Sequence, residues 1–308
     1  HKLREVMAHA DRVTVLRRGA LVGEREIGDT DPASLAALMV GEAASRSTRR
    51  EARTAPIGDP RFVVKGITAE NDAGLPAVRG VDLTVRSGEI VGIAGVSGNG
   101  QREFVEALVG QRPALTGSMS VDGTPYRPTR RLIRELGVYC LPEEPLRNAC
   151  LGDLSVVDNL GLRVFDVPPY SRGPWLMGAK LRSHASDLVD AFKVRTPGLD
   201  APMRALSGGN VQRAVLAREL EHEARVLIAA NPTFGLDLGA VNVVHGRLRD
   251  ARDRGTAVLV ISEDLDELLE LADRILVMSE GRLVYETTAE AADIAVIGLH
   301  MAGDHAAG

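Results

Sequence analysis

The order of apolar and polar residues along the chain predicts buried strands separated by helices. Four short runs are almost wholly apolar, as strands covered on both faces of a sheet are: GEIVGIAG, VYCLP, RVLIAA and AVLVIS. The segment VRGVDLTV instead alternates apolar and polar residues, which favours an antiparallel strand. Helices are expected from about Gln101 to Val109, from LSGGN onward, and from Ala240 to Ala251. Strands that alternate with helices predict an α/β fold built on a parallel sheet.

A sequence repeat separates the first residues from the rest of the chain. The segment His1–Val22 matches Glu263–Val284 at nine of 22 positions without a gap, where chance gives roughly one or two. Residues 1–42 read as a helix, a strand pair around VTVLRRGALV and a short helix, too little to bury a core. We therefore expect residues 1–42 to be the end of a preceding domain, 43–59 a linker, and 60–308 a second domain.

Composition and charge exclude several classes of protein. The 308 residues are 44% hydrophobic and 26% charged with a net charge of −5, as in soluble globular proteins. No basic face is indicated, so no nucleic-acid partner is expected; the basic cluster Arg46–Arg53 is interpreted as solvated linker charge. The two cysteines lack metal-ligand spacing. No apolar run reaches the ~18 residues of a membrane span.

The segment GVSGNGQR lies between a predicted buried strand and a predicted helix. Gly95, Gly98 and Gly100 have the spacing of a phosphate-binding loop, whose backbone N–H groups cradle phosphate at a helix N-terminus. Gln101 replaces the lysine that reaches the phosphates, and Arg102 replaces the Ser or Thr that binds Mg²⁺. A tight turn without any ligand is the alternative interpretation. The candidate nucleotide-binding residues are Gly95, Ser97, Gly98, Asn99, Gly100, Gln101 and Arg102.

Three further motifs give the chain a resemblance to a known family. LSGGN is followed by RVLIAANPTFGLDLGA and then by SEDLDELLELADRILVMSEGRLV. Over residues 61–286 the chain resembles the ATP-binding subunits of ABC transporters. This resemblance implies an ABC-type P-loop NTPase domain with an antiparallel β subdomain and a helical subdomain at about 143–200. Sugar- and nucleoside-type importers often fuse two such domains, and residues 1–42 look like the end of the first.

The resemblance also implies that the second domain has lost its catalytic residues. Ala230 stands at the Walker B aspartate position and Asn231 at the catalytic glutamate position. Glu263 stands at the switch histidine position, and Glu143 at the Q-loop glutamine position. His1 matches the switch histidine of the first domain. An amide cannot take the proton of a water at neutral pH, so no useful hydrolysis is expected at this loop, and no metal ligand remains there. Weak nucleotide binding, with Arg102 as a substitute cation, stays open.

The signature motif, in contrast, is complete. The resemblance implies that Ser207, Gly208, Gly209 and Asn210 cap an ATP held by the P-loop of the first domain, where Mg²⁺ is also expected. Asp237 falls at the D-loop, which crosses the interface between the two domains. The alternative is an inactive domain retained as a scaffold.

The resulting functional prediction is an ATP-binding subunit of an importer for nucleosides or simple sugars. Such a subunit lies at the cytoplasmic face of the membrane, binds transmembrane permease subunits, and acts indirectly with an extracytoplasmic substrate-binding protein. AANPTFGLD is most like the nucleoside branch, and ribose-, galactose- or xylose-type importers are the close alternative. Two other classes stay open: a non-transport ABC protein with a regulatory or ribosome-associated role, and a scaffold without ATP chemistry.

Smaller features of the second domain complete the predictions. LSVVDNL predicts a helix that begins at Ser155 with a capping box to Asp158. The aromatic residues of the helical subdomain are expected to pack in its core, and two histidines to be packing or surface residues. These are Phe165, Tyr170 and Trp175, and His222 and His245.

Overall fold

The fold is that of a computed structural model, which describes residues 6–7, 9–17, 20–31, 34–35, 38, 56–221, 223–236 and 238–303. Some predictions lie outside the described residues: those on His1, His222 and Asp237, most of the linker, and most of the two helices predicted within residues 1–42.

The strands and helices follow one another along the chain as the apolar runs predict. The strands are β1 Arg12–Arg17, β2 Ala20–Glu26, β3 Pro60–Glu70, β4 Pro76–Arg86, β5 Ile90–Ala94, β6 Thr116–Val121, β7 Thr124–Tyr126, β8 Val138–Leu141, β9 Ser171–Arg172, β10 Trp175–Leu176, β11 Val226–Ala230, β12 Ala257–Ser262, β13 Arg274–Ser279 and β14 Arg282–Thr288. The helices are α1 Gln101–Val109, α2 Arg130–Glu135, α3 Pro145–Asn148, α4 Val156–Gly161, α5 Gly178–Ala191, α6 Gly208–Leu220, α7 Leu238–Asp253, α8 Leu265–Leu271 and α9 Ile294–Met301.

A six-stranded sheet forms the centre of the part of the chain that follows residue 59. Its order is β14-β13-β5-β12-β11-β8, and all neighbouring pairs are parallel except β13 with β14. Every residue of β5, β11 and β12 is buried, which explains why these strands read as continuous apolar runs. The predicted α/β fold with a parallel sheet is confirmed.

A second, antiparallel sheet packs against one face of the first. Its order is β4-β3-β6-β7, and β4 contains the alternating segment of the sequence. One apolar cluster joins the two sheets and α1, and it includes Phe62, Ile93, Phe104 and Leu259. Burying each such side chain stabilises the fold by about 1.5–3 kcal/mol. The opposite face of the central sheet is covered by helices through residues such as Leu248 and Leu268.

The chain between β8 and β11 forms helices α3 to α6 and the β9–β10 hairpin. A cluster of buried residues, including Val156, Leu160 and Leu188, packs α4 and α5 against α6. Helix α4 begins with the predicted capping box: the Ser155 hydroxyl accepts from the N–H of Asp158 at 3.1 Å, and the Asp158 carboxylate accepts from the N–H of Ser155 at 3.2 Å.

The prediction that the aromatic residues of this region pack in a core is wrong for Trp175 and for Phe165. Its side chain is 74% exposed and Phe165 is 39% exposed, whereas the Tyr170 hydroxyl lies 3.2 Å from Nδ1 of the buried His184. Trp175 lies in a two-residue strand of the β9–β10 hairpin. So short a strand has no sequence period from which its covered face could be predicted.

A buried ion cluster connects the central sheet to the helical region. The Glu219 carboxylate is fully buried, and it accepts from Arg163 Nη2 at 2.5 Å and from Arg218 Nε at 2.8 Å. Arg218 also donates to the carbonyl oxygens of Ala149 and Asn159, at 2.9 and 3.2 Å. Burial raises the pKa of Glu219, but Arg218 and Arg163 lower it by more, so its net pKa lies below the ordinary value.

The two cysteines are free thiols near this cluster. Burial raises the pKa of Cys140 to about 12 and that of Cys150 to about 11. Cys140, Arg163 and Glu219 line a cavity of about 180 Å³.

The predicted strand pair in residues 1–42 is confirmed as the antiparallel hairpin β1–β2. Its small apolar cluster contains Val15 and Leu35, and Ala302 beyond α9 packs against it.

Candidate nucleotide site

Four of the predicted site segments follow four adjacent parallel strands. The loop from Gly95 follows β5, Glu143 follows β8, Asn231 follows β11 and Glu263 follows β12. The carboxyl ends of parallel strands lie at one edge of a sheet, and this edge is where α/β folds bind ligands. The fold therefore gathers these segments at one edge.

The loop between β5 and α1 needs its glycines. Gly98 and Gly100 have φ of +89° and +100°, the left-handed region in which other residues are strained. A Cβ at Gly100 would overlap the carbonyl oxygen of Ala77, and a Cβ at Gly95 would overlap the side-chain amide of Gln101. The spacing that predicts a phosphate-binding loop thus corresponds to real backbone constraints.

The loop is partly filled by its own amide side chains. Gln101 Nε2 and Asn99 Nδ2 each donate to the carbonyl oxygen of Val96 at 3.1 Å. The Asn99 side chain also accepts from the N–H of Glu280 at 3.0 Å, which ties the loop to the β13–β14 turn. Gln101 therefore folds back into the loop, whereas a lysine at this position would bring a positive charge to a phosphate.

Arg102 is paired on the outer side of α1. Its Nε donates to Glu106 at 2.8 Å and its Nη2 lies 3.7 Å from Asp72, while 64% of the side chain is exposed. The hydrogen bond with Glu106 raises the pKa of Arg102 above its ordinary value. The role of substitute phosphate cation gains no support from this pairing and stays a prediction.

Asn231 joins the ends of β11 and β12 through two hydrogen bonds. Its N–H donates to the carbonyl oxygen of Ile261 at 2.7 Å, and its side-chain oxygen accepts from the N–H of Glu263 at 3.0 Å. The residue has φ of +42°, a conformation that asparagine tolerates better than most residues. Ala230, directly before it, offers only a methyl group.

Glu263 reaches towards the glycine loop. Its carboxylate is hydrogen-bonded to the Ser97 side chain and lies near Glu143. Burial raises the pKa of Glu263, the Ser97 hydrogen bond lowers it, and the charge of Glu143 raises it again, so the net pKa is raised. The structure thus brings Ser97, Glu143 and Glu263 together, and it places a carboxylate beside the loop.

These residues do not fit a magnesium ion at this loop. Arg102 and Ala230 stand where the family resemblance predicts the two magnesium ligands, and neither side chain can bind a cation. Among the described residues, no group of three or more His, Cys, Asp or Glu side chains is arranged to hold a metal.

The signature residues form an open helix end. Ser207 precedes α6, and its side chain does not cap the helix backbone. Its hydroxyl instead accepts from Asn210 Nδ2 at 2.8 Å, and Asn210 Oδ1 accepts from the N–H of Arg195 at 2.8 Å. Ser207 and Gly208 are exposed. Exposed N–H groups and the helix dipole make such an end suited to an anion.

A buried histidine is part of a network that sequence reasoning missed. His245 Nε2 lies 3.1 Å from Glu267 and Nδ1 lies 3.3 Å from Glu270. Glu267 also accepts from Thr233 at 2.8 Å and from Ser262 at 2.6 Å, so the network ties α7 and α8 to the site edge. Burial lowers the pKa of His245, but the two glutamates raise it by more.

His245 was expected to be a packing or surface residue, and its buried position confirms packing. The partners are 22 and 25 residues away in the sequence. No local pattern could therefore have indicated the ion pairs.

None of the helices in the described part of the chain has both the length and the apolar character needed to cross a membrane.

The sheet, the glycine loop and the signature helix together define an ATP-binding cassette. The sequence profile of the ABC transporter family matches residues 78–234, just over half of the chain. The chain belongs to the ABC transporter family.

Its relatives are import ATP-binding proteins. The chain is 45% identical to the glucose import ATP-binding protein TsgD13 of Haloferax volcanii, over 98% of the chain and 55% of that protein. It is 40% identical to the nucleoside import ATP-binding protein NupA of Lactococcus lactis subsp. cremoris, over 98% of the chain and 60% of that protein. It is 38% identical to the ribose import ATP-binding protein RbsA 1 of Rubrobacter xylanophilus, over 100% of the chain and 60% of that protein. The chain thus spans little more than half the length of these relatives.

Solved structures show the same fold. An ATP-binding subunit of an ABC transporter superposes with a TM-score of 0.64 at 19% identity, covering 78% of this chain and 99% of that one. A dimeric ATP-binding cassette bound to ADP and Pi gives a TM-score of 0.63 at 20% identity, covering 74% of this chain and 98% of that one. The predicted ABC-type fold is confirmed.

Proposed function

We propose that the chain is part of the ATP-binding subunit of an importer for nucleosides or simple sugars. In this proposal the cassette serves mainly through its signature, which caps an ATP held by the first cassette of the same polypeptide. The observation that carries the proposal is the contrast between an open signature helix and a glycine loop filled by its own side chains.

In this proposal the signature binds phosphate through two kinds of group. The Ser207 hydroxyl can donate to a phosphate oxygen, because Asn210 occupies it only as an acceptor. The N–H groups of Gly208 and Gly209 lie in the first turn of α6, at the positive end of the helix dipole. A Cβ at Gly208 would meet no atom within 4 Å, so this end is open to a ligand.

The glycine loop of this cassette is proposed to be inactive in hydrolysis. Losing one preorganised electrostatic group typically lowers the rate by about 10²–10³. Here the lysine, both metal ligands and the base are all replaced, by Gln101, Arg102, Ala230 and Asn231. ATP and Mg²⁺ would then be used at the shared site, completed by His1 and, across the interface, by Asp237.

The proposed partners follow from the names of the relatives, which include glucose, nucleoside, guanosine and ribose import proteins. Such a subunit would bind permease subunits at the cytoplasmic face of the membrane, and would serve a substrate-binding protein indirectly. Relatives from both branches reach 40% identity or more, so nucleosides and simple sugars are proposed as a single class.

The test is ATP hydrolysis by the full-length subunit assembled with its permease. Gly208→Asp should lower kcat about 100-fold or more, because its carboxylate repels phosphate at the helix end. Gly98→Asp, in the loop of this cassette, should change kcat by less than about threefold. Ser183→Ala, a change on the exposed face of α5, is the control for a neutral substitution.

Each outcome decides between the candidate functions. A fall in kcat with Gly98→Asp and no fall with Gly208→Asp would mean that this cassette hydrolyses ATP at its own loop. No effect of either variant on kcat would favour an inactive domain retained as a scaffold, and the absence of hydrolysis by the unchanged subunit would favour the scaffold without ATP chemistry. Full ATPase activity that needs no permease and is unchanged by transported solutes would favour the non-transport class.

A further inference from the structure

The β9–β10 hairpin presents a large apolar residue to solvent on a fixed base. Trp175 and Leu176 are 74% and 54% exposed. Trp175 pairs with Arg172 and Leu176 pairs with Ser171. Beside the hairpin, the N–H of Met177 donates to the carbonyl oxygen of Tyr170 at 2.8 Å. The backbone of the exposed tip is therefore fixed by hydrogen bonds within the hairpin.

The base of the hairpin is anchored in the helical region. Ser171 is buried, and the Tyr170 ring lies against His184, with ring centroids 4.8 Å apart. The fold thus already holds the backbone of Trp175 in place, although its side chain is 74% exposed and buries little apolar surface. Large apolar side chains displayed in this way mark interaction sites.

The charged side chains of the segment that contains the tip, residues 167–186, are all basic, and Asp166 and Asp187 border this segment. Residues 167–186 contain Arg172, Lys180 and Arg182 and no Asp or Glu, although the whole chain carries a net charge of −5. Arg182 is paired with Asp200, while Arg172 and Lys180 are exposed. The tip therefore combines an exposed indole, a leucine and exposed cations in an acid-free segment.

This combination fits an anionic lipid surface. Tryptophan favours the membrane–water interface, and each Lys or Arg near an anionic leaflet adds about a fivefold gain in binding. A lysine can also keep its charge among headgroups while its stem covers apolar surface. A protein partner would have to supply an apolar pocket with acidic groups around it, whereas a bilayer supplies both features at any position.

We infer that the hairpin tip, Arg172 to Leu176 with Lys180, is a contact site for anionic phospholipid headgroups. This inference goes beyond the proposed function, because it depends on the surface of this chain and not on ATP.

The 308-residue chain contains its own probe, since Trp175 is its one tryptophan. Its fluorescence is measured with vesicles of phosphatidylglycerol and with vesicles of phosphatidylcholine, and binding is measured by vesicle flotation. The expected result is a blue shift and flotation with phosphatidylglycerol alone, both weakened by high salt.

Variants separate this site from general charge attraction. Arg172→Gln with Lys180→Gln should lower the partition coefficient for phosphatidylglycerol about 30-fold, and Trp175→Ala should weaken flotation as well. The control pair, Lys65→Gln with Arg86→Gln, removes two exposed cations from the antiparallel sheet and should bind as the unchanged chain does.

Three results would overturn the inference. One is the absence of a blue shift with phosphatidylglycerol. Another is an equal loss of vesicle binding in the control pair, which would mean that general charge attraction, and no specific site, holds the chain on the membrane. The third is a shift that needs permease in the vesicles, which would assign the tip to a protein partner. None of these results bears on the ATPase test, so the two proposals stand or fall separately.

Discussion

Replacing Glu219 with alanine should lower the free energy of unfolding by about 3 kcal/mol or more. The carboxylate is fully buried between two arginines, and removing one member of a buried ion cluster typically costs about 3–5 kcal/mol, because a buried charge is left unpaired. The variant leaves Arg218, whose side chain is only 6% exposed, with carbonyl partners alone.

The cost should fall near the lower end of that range. Arg163 is 32% exposed, and Arg163 and Arg218 both line the cavity of about 180 Å³ beside the cluster, together with polar and apolar residues. Water can enter such a cavity and hydrogen-bond to the freed guanidinium of Arg163. Arg218 also lines this cavity, but its side chain is only 6% exposed, so more of the loss comes from Arg218 than from Arg163.

Urea unfolding followed by circular dichroism measures this effect. The control is Asp200→Ala, which breaks the exposed pair with Arg182, 51% and 78% exposed, and should cost less than about 1 kcal/mol. Because the net pKa of Glu219 is lowered, its contribution is present above about pH 4.5 and is lost only as the pH falls through its lower folded value. If Glu219→Ala costs no more than Asp200→Ala at pH 7, the cluster does not stabilise this fold.

Three other predictions concern the site edge. Glu263→Gln should raise the affinity of the chain for Mg-ATP at least tenfold in calorimetry, because it removes a negative charge beside the glycine loop; unchanged affinity would contradict this role. His245→Asn should lower the melting temperature more at pH 6 than at pH 8.5. A histidine with a raised pKa stabilises fully below its ordinary value of 6.5, and the effect fades as the pH rises through the folded value; an equal loss at both pH values would refute the ion pair. Gly100→Ala should destabilise the chain by more than about 1 kcal/mol in urea unfolding, because of its positive φ and the overlap with Ala77. Gly208→Ala, which has free space, should not.

The central sheet could be predicted from sequence because its strands are buried on both faces. A run such as RVLIAA leaves little choice of structure when it lies between helical segments. Strand β3 was not predicted, because its pairing with β4 shifts register several times. Each shift breaks the period-two pattern by which an antiparallel strand is detected.

The candidate site could be located from sequence but not described in detail. The gathering of Ser97, Glu143 and Glu263 follows from parallel strands, whose carboxyl ends share one edge. The inward fold of Gln101 and the pairing of Arg102 with Glu106 are choices of side-chain rotamer. Such choices depend on neighbours that only the folded chain supplies.

Thiol chemistry gives the two half-buried cysteines a practical consequence. With pKa values of about 12 and 11, Cys140 and Cys150 carry almost no thiolate at pH 7, and the thiolate is the form that reacts with alkylating reagents. A cysteine introduced on the surface should therefore be labelled while both native thiols stay intact. Spin labels or dyes can thus be attached to the signature helix or the hairpin tip of this chain without first removing its own cysteines.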